Sequence, residues 1–327
     1  MIVRRTKPIN IKEEDLWIFS HELEKEVNKP QILDLKNVIL NGDLNFEAET
    51  NNSLLLSYNN KSFKTSLQQK IKKIINFQFC FKLRKYFVIT DDWSNAYFHW
   101  LMDCLPRLVL LQDKGKAQTL ILPPNLKDRS YISESLNLLG INNIRFLKKD
   151  NWYYFRSLTF PVHLAPTGNY HDETMRKLRS KVTQNVQAEP ALKVYISRSK
   201  ASQRKIANEN EVLPLLSRMG FKTVYCEDLS FLEQVKLFGK VKYLVSNHGA
   251  GLSNMLFMSQ GASVLELRKS DDDHSNCYFS LASSLNLRYF YLKCSPSNEG
   301  EDSHTANIIV DIKQFSKEIT EMINDCK

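Results

Sequence analysis

The stretch VKYLVSNHGAGLSNMLFM, residues 241–258, decides how this chain is read. Residues 241–246 form a mostly apolar run of strand length with two valines. Gly249 to Gly251 make a turn, and Leu252 to Met258 begin a short helix. Strand, glycine turn and helix in that order are one unit of a parallel sheet. The glycines allow a ligand close to the backbone, and the free N–H groups of a helix start attract an anion. His248 adds a side-chain donor beside them. The same residues also read as a tight turn whose glycines serve packing alone.

The pattern repeats on both sides. Downstream, ASVLEL (262–267) and RYFYLK (288–293) are strands around a helix within 274–286. Upstream, VYIS (194–197) and KTVY (222–225) are strands, separated by a helix from Asn208 to Met219 and followed by one from Ser230 to Phe238. Gly220 and Gly239 end these helices. Further back the alternation starts again. YFVIT (86–90), TLIL (119–122), IRFL (144–147) and YYFRSLTF (153–160) read as strands. Asn95 to Gln112 and Asp128 to Leu139 read as helices. Two such runs predict an α/β protein with two parallel-sheet domains facing each other. The polar stretch SKVTQNVQAEP (180–190) is the expected linker. The expected domains are 76–185 and 190–300, with 1–75 an extension of the first. Residues 308–327 form a terminal strand and helix that can pack back on the first domain. Within 1–75, strands are expected at Gln31–Leu40 and Ser53–Tyr58.

The chain has 327 residues, 43% hydrophobic and 25% charged, which excludes a disordered chain, a collagen-like fibre and a coiled-coil rod. Its net charge of +9 points to an anionic partner. No nucleic-acid module accompanies that charge, so nucleic acid is not expected. No apolar run reaches the roughly 18 residues of a membrane span, and MIVRRTKPIN, with no apolar run after its basic residues, is not expected to act as a secretory signal. Cys80, Cys104, Cys226, Cys277, Cys294 and Cys326 show no CxxC spacing, so no cysteine zinc site is expected. Scattered thiols fit a reducing compartment, and the expected location is cytoplasmic. Asn51 and Asn60 lie in NxS sequons that carry little meaning without a secretory route.

Four further groups carry candidate chemistry. Arg198 leaves the end of a strand and Arg204 lies in the polar loop that follows; guanidiniums pair well with diphosphate oxygens. Asn208 reads as a helix cap with Glu211 completing a capping box. Asn95, His99 and Asp103 are spaced four apart on one helix face, and His99 with Asp103 can form an acid/base pair. Arg107 would extend this stripe, but Pro106 is expected to kink or end the helix there. Glu266, at a strand end, can accept from ribose hydroxyls or simply face solvent. Asp91-Asp92 and Asp271-Asp272-Asp273 read as solvated acidic loops, although Asp271 and Asp273 formally make a DxD. Trp93, Tyr97, Phe98 and Trp100 read as core and rim packing.

Together, NAYFHWLMDCLPRL (95–108), VYISRSKASQRKIANENEV (194–212), VKYLVSNHGAGLSNMLFM (241–258) and SVLEL (263–267) resemble glycosyltransferase family 61. The resemblance covers about residues 86–293. It implies an inverting glycosyltransferase of GT-B architecture, with two Rossmann-like domains about a central cleft and a nucleotide-sugar donor, often a UDP-sugar. It implies donor contacts from Arg198, Arg204 and Asn208, from the loop His248, Gly249, Ala250 and Gly251, from Asn254 and from Glu266. His99 and Asp103 would stand on the acceptor side. Relatives often carry a proline close to that glutamate, whereas this chain has Leu267-Arg268-Lys269.

The expected reaction is sugar transfer to a hydroxyl of an oligosaccharide or lipid-linked glycan. The chain resembles bacterial members of surface-polysaccharide synthesis. Asp103 is the expected base, with His99 either orienting it or taking that role. With two arginines on the leaving diphosphate, neither metal nor other cofactor is expected. Peripheral contact with an anionic inner membrane would suit the charge. Two alternatives stay open: a nucleotide-diphosphate-binding protein without transferase activity, and another phosphate-ligand α/β enzyme, against which the absence of GxGxxG and GxxxxGK[ST] speaks.

Overall fold

The computed structural model describes residues 1–44, 77–80, 85–112, 118–186, 189–298, 300–303 and 305–325. The expected strand at 53–58, both sequons and Cys326 lie outside them, as does the side chain of Cys80. The protein is mixed α/β with parallel-strand sheets and divides into two compact units. A composite unit joins Met1–Val27 to Ala165–Lys327, and a middle unit holds Asn28–Leu164. Among the described residues no helix is long and apolar enough to cross a membrane.

The composite unit is built on strands β9 (Leu192–Ile196), β10 (Lys222–Val224), β11 (Val241–Asn247), β12 (Ser263–Lys269) and β13 (Arg288–Pro296). They lie in the order β10-β9-β11-β12-β13 and are parallel throughout. A short β14 (Ile308–Ile309) pairs antiparallel with the end of β13. Six of the seven residues of β12 are buried, which marks a strand covered on both faces. Because β10 lies to one side of β9 and β11 to the other, the strand order reverses between β9 and β11. In open α/β sheets that reversal opens a crevice at the carboxyl ends of the two strands. Arg198 follows β9 there, and the His248–Gly251 turn follows β11.

Two features move the boundary away from residues 180–190. Helix Asp172–Thr183 belongs to this unit, because Arg176 and Arg179 donate to the carbonyls of Ser284 and Leu285 at 3.1 and 2.7 Å. The first 27 residues, with strands β1 (Ile2–Arg4) and β2 (Glu24–Glu26), belong to it as well. Ile9 N–H donates to Tyr289 O at 2.8 Å, and the Asp15 carboxylate takes the Tyr291 hydroxyl at 2.6 Å and the Lys293 ammonium at 2.5 Å. These partners are distant in sequence, so no local pattern announces them. The terminal helix Ile312–Asn324 also packs here rather than on the first sheet. Phe315, Ile319 and Met322 share a core with Val245, Leu265 and Leu292.

The middle unit has β3 (Ile32–Asn41), β4 (Phe77–Cys80), β5 (Lys85–Phe87), β6 (Gln118–Leu122), β7 (Ile144–Phe146) and β8 (Trp152–Pro161), with the order β3-β8-β5-β6-β7 and β4 also on β8. Its sheet is mixed rather than wholly parallel, because β3 runs antiparallel along β8 from Ile32↔Pro161 to Asn41↔Trp152. Tyr86, Val88, Ile121, Phe155 and Leu158 form its core. Here the order reverses between β5 and β8.

The helix after β5 runs through Pro106 instead of stopping at it. It comprises Tyr97–His99, a wider π-helical segment Trp100–Cys104, and Leu105–Gln112. Proline supplies no N–H to the carbonyl four residues back, and the widened turn lies where that bond would fall. The Asp103 carbonyl accepts from Arg107 Nε at 2.8 Å.

Candidate functional site

At the reversal point of the composite unit, Ser197 ends β9 by donating its hydroxyl to Glu209 at 2.6 Å, and Tyr195 donates to the same carboxylate at 2.7 Å. This ties the start of helix Glu209–Arg218 to the strand end. Arg198 then turns over the glycine loop. A Cβ added to Gly249 would stand 2.7 Å from Arg198 Cζ. Gly249 has φ 165°, an extended backbone open to any residue, so its missing Cβ makes room for the guanidinium and does not relieve strain. Arg198 Nε donates to the Arg204 carbonyl at 3.2 Å, and Asn247 Nδ2 donates to the same oxygen at 2.5 Å. Arg204 itself has φ +56°, a left-handed conformation that costs a non-glycine residue free energy. Its Nε is buried and has no hydrogen-bond partner among the described residues.

The electrostatics agree with this crowding. Burial, and then the like charge of Arg204, hold Arg198 below the ordinary guanidinium range. Burial, and then Cys277 and Glu266, hold the nearby Tyr278 hydroxyl well above its ordinary value, while Arg204 acts in the opposite sense. Two cations thus share one corner with a glycine turn, a geometry that suits an anion with two or more charges.

His248 is placed by Glu266. Its Nδ1 lies 2.6 Å from Glu266 Oε1, and its ring packs 4.9 Å from the Tyr278 ring. Glu266 is fully buried, and its second oxygen accepts from the Tyr289 hydroxyl at 2.5 Å. Arg268 Nη1 lies 4.0 Å from the same oxygen. The glutamate therefore does not face solvent; it orients an imidazole from within the sheet. A carboxylate on one ring nitrogen fixes the tautomer and leaves Nε2 for other work.

Asn208 and Asn254, two further expected donor residues, have protein partners. Asn208 does not cap its helix; its amide brackets Val310, with Nδ2 donating to the carbonyl and Oδ1 accepting from the N–H, both at 2.9 Å. The expected capping box with Glu211 is therefore absent. Asn254 is fully buried and donates to Gln234 Oε1 at 2.8 Å. Ala250 and Gly251 begin the 3-10 segment Ala250–Phe257, where a Cβ on Gly251 would press on Ile196 at 3.1 Å.

The acidic runs are not plain solvated loops. Asp272 accepts the N–H groups of His274 and Ser275 at 3.0 Å each. Asp271 pairs with Lys269 at 2.7 Å and Asp273 with His274 at 3.1 Å. Among the described residues no group of three or more His, Cys, Asp or Glu side chains is placed to hold a metal ion.

In the middle unit His99 Nδ1 meets Asp103 Oδ2 at 2.8 Å, one turn apart on the helix. The Asp103 side chain is 6% exposed and that of His99 22%, so the imidazole is the more accessible partner. Beneath them lies a group that the sequence reading missed. Arg107 is buried and donates to Asp91 Oδ2 at 3.0 Å, and His163 Nε2 lies 3.2 Å from the same oxygen. Asp91 follows β5 and His163 follows β8, the strands between which the order reverses. Burial draws Arg107 down to about 9, so it stays charged at neutral pH. Burial alone would raise the Asp91 carboxyl; the hydrogen bond and charge of His163, with Ser94 and the Trp93 N–H, outweigh it and hold Asp91 below its ordinary value.

Asp91→Asn is expected to lower unfolding stability by about 3–5 kcal/mol, because it strips the carboxylate from a buried cation. Urea unfolding measures this. Since the folded value is the lower one, the wild type keeps this contribution above the unfolded carboxyl pKa of about 4 and loses it as pH falls further.

The aromatics divide. Trp100 is fully buried and donates Nε1–H to Ser135 at 2.9 Å, and Tyr97 meets the Tyr131 ring edge-on at 5.4 Å. Trp93 is 68% exposed, so it is not core.

Residues 97–265, just over half of the chain, match the family described as Glycosyltransferase 61. The interval holds both His99 with Asp103 and Arg198 with the glycine turn. Among curated proteins, the EGF domain-specific O-linked N-acetylglucosamine transferase of Canis lupus familiaris is 28% identical over 152 residues, covering 42% of this chain and 28% of its own length. The protein of the same name from Drosophila melanogaster is 34% identical over 98 residues, covering 29% of this chain and 18% of its own. The chain thus spans less than a third of these curated relatives. From the matched interval and what it contains, the chain belongs to glycosyltransferase family 61.

Proposed function

We propose that this protein is an inverting, GT-B-type glycosyltransferase that moves a sugar from a UDP-sugar to a hydroxyl of a glycan acceptor. The carrying observation is the Arg198 guanidinium seated on Gly249 beside Arg204, at the strand reversal of a parallel sheet. In this reading the composite unit holds the donor and the middle unit activates the acceptor. The acceptor oxygen attacks the anomeric carbon as the bond to the diphosphate breaks, and the electron pair leaves on the diphosphate. Arg198, Arg204 and the turn's N–H groups stabilise that growing charge. His248, oriented by Glu266, stands beside the same turn.

The acceptor proton goes to the His99–Asp103 pair. Its geometry favours His99 as the base through Nε2, with buried Asp103 orienting the ring and stabilising its charged form. This is the second of the two roles expected for the pair. The relatives' named transfer of N-acetylglucosamine makes UDP-N-acetylglucosamine the first donor to try. Surface-polysaccharide synthesis, with a lipid-linked or capsular oligosaccharide as acceptor, is the proposed setting, and the +9 charge suits an anionic membrane face.

With fixed cations on the leaving group, transfer is expected to persist in excess EDTA. The test is an assay of UDP-sugars with oligosaccharide acceptors, with and without chelator, reading the anomeric configuration of the product by NMR. Inverted product in EDTA supports the reading. Loss in EDTA with recovery on adding Mn²⁺ or Mg²⁺ refutes the metal-free part. UDP binding without turnover on any acceptor refutes the enzymatic part.

A further inference from the structure

We propose that Trp93 is a stacking platform for a pyranose ring of the acceptor, set beside the His99–Asp103 pair. This rests on the transferase reading and assigns the acceptor subsite within it. Large aromatics leave water when nothing prevents it, yet the Trp93 indole is 68% exposed. Its backbone is also firmly held. Trp93 N–H donates to Asp91 Oδ1 at 2.9 Å, and its carbonyl accepts from Ala96 N–H at 3.0 Å. Asp91 is in turn fixed by buried Arg107 and by His163. Tyr131 ties the next residues down by donating to Asn95 O at 2.7 Å. A buried ionic cluster therefore anchors a loop that presents an indole to water.

What stands next to that indole sets its use. The Trp93 and His99 ring centroids are 5.8 Å apart with 34° between planes, so the two rings form one ledge. One face of a pyranose is lined with C–H groups carrying slight positive charge, and the face of an indole is negative. A sugar ring lying on Trp93 would point a rim hydroxyl toward the neighbouring imidazole. That is the arrangement a base needs to meet an acceptor hydroxyl. A flat sugar face explains both the exposure and the rigid tether; a lipid tail would need neither ring orientation nor the adjacent dyad.

The test uses methyl glycosides of glucose, galactose, mannose and N-acetylglucosamine as probes, read by saturation-transfer NMR on wild type, Trp93→Ala and Trp93→Tyr. UDP is titrated into the same samples by thermal shift. The proposal expects saturation transfer concentrated on one face of at least one pyranoside. The signal should weaken about tenfold in Trp93→Ala and largely survive in Trp93→Tyr, which keeps an aromatic face. A signal equal in wild type and Trp93→Ala, or none for any glycoside in wild type, overturns it. So does displacement by dodecyl chains alone. The UDP shift separates the two claims: if UDP still stabilises all three proteins while the sugar signal ignores Trp93, the platform falls and the donor site stands.

Discussion

His99→Ala is expected to slow sugar transfer by about a thousandfold while leaving UDP affinity within about twofold. The expectation follows from where the pair sits. His99 and Asp103 occupy the middle unit, whereas Arg198, Arg204 and Gly249 occupy the composite unit, so the change removes no group of the expected donor corner. The acceptor hydroxyl is a very weak acid, and an attack without a base must carry that proton into the transition state. Asp103→Asn should be nearly as damaging, because an amide Nδ2–H facing His99 Nδ1 reverses the ring's tautomer and points the wrong nitrogen outward. Single-turnover rates with saturating donor measure both variants. Should Asp103→Asn be far worse than His99→Ala, the carboxylate is the base and the histidine its partner. Near-normal rates in both would remove this pair from the chemistry.

How far the sequence reveals this depends on the kind of question. The unit β11–turn–β12 was legible because strands of mostly apolar residues flank two glycines. Helix Tyr97–Gln112 was legible in extent, but its passage through Pro106 was not, since only the structure shows a π turn absorbing the missing bond. The unit boundary was hidden because Met1–Val27 is held by residues more than 250 positions away, such as Tyr289 and Tyr291. Side-chain direction was the weakest inference. The resemblance implied donor contacts for Asn208, Asn254 and Glu266, and no sequence pattern announced the partners the structure shows for them, Val310, Gln234 and His248. The Asp91–Arg107–His163 group escaped notice because its members come from three segments with no shared period. A charged residue inside an otherwise apolar helix run, as at Arg107, was the one available hint of a buried partner.

Arg198→Ala is expected to weaken UDP binding by about a hundredfold and to leave uridine binding almost unchanged. A charge-assisted, paired contact to phosphate contributes about 1.5–3 kcal/mol. Its loss here also removes the group that neutralises charge beside Arg204 and the glycine turn. The effect should be specific to the anion, because the guanidinium lies on the Gly249 backbone and not within the sheet core. The neighbouring cation makes the site demanding: Arg198 and Arg204 repel each other until a diphosphate lies between them. UDP should therefore bind the wild type more tightly than uridine, and high salt should erode that advantage. Isothermal titration of UDP and uridine into wild type and Arg198→Ala, at fixed ionic strength, decides the matter. UDP at least about a hundredfold tighter than uridine in wild type, with that gap closed in the variant, is the expected result. Equal affinity for UDP and uridine in wild type, or a gap untouched by loss of Arg198, would contradict the account.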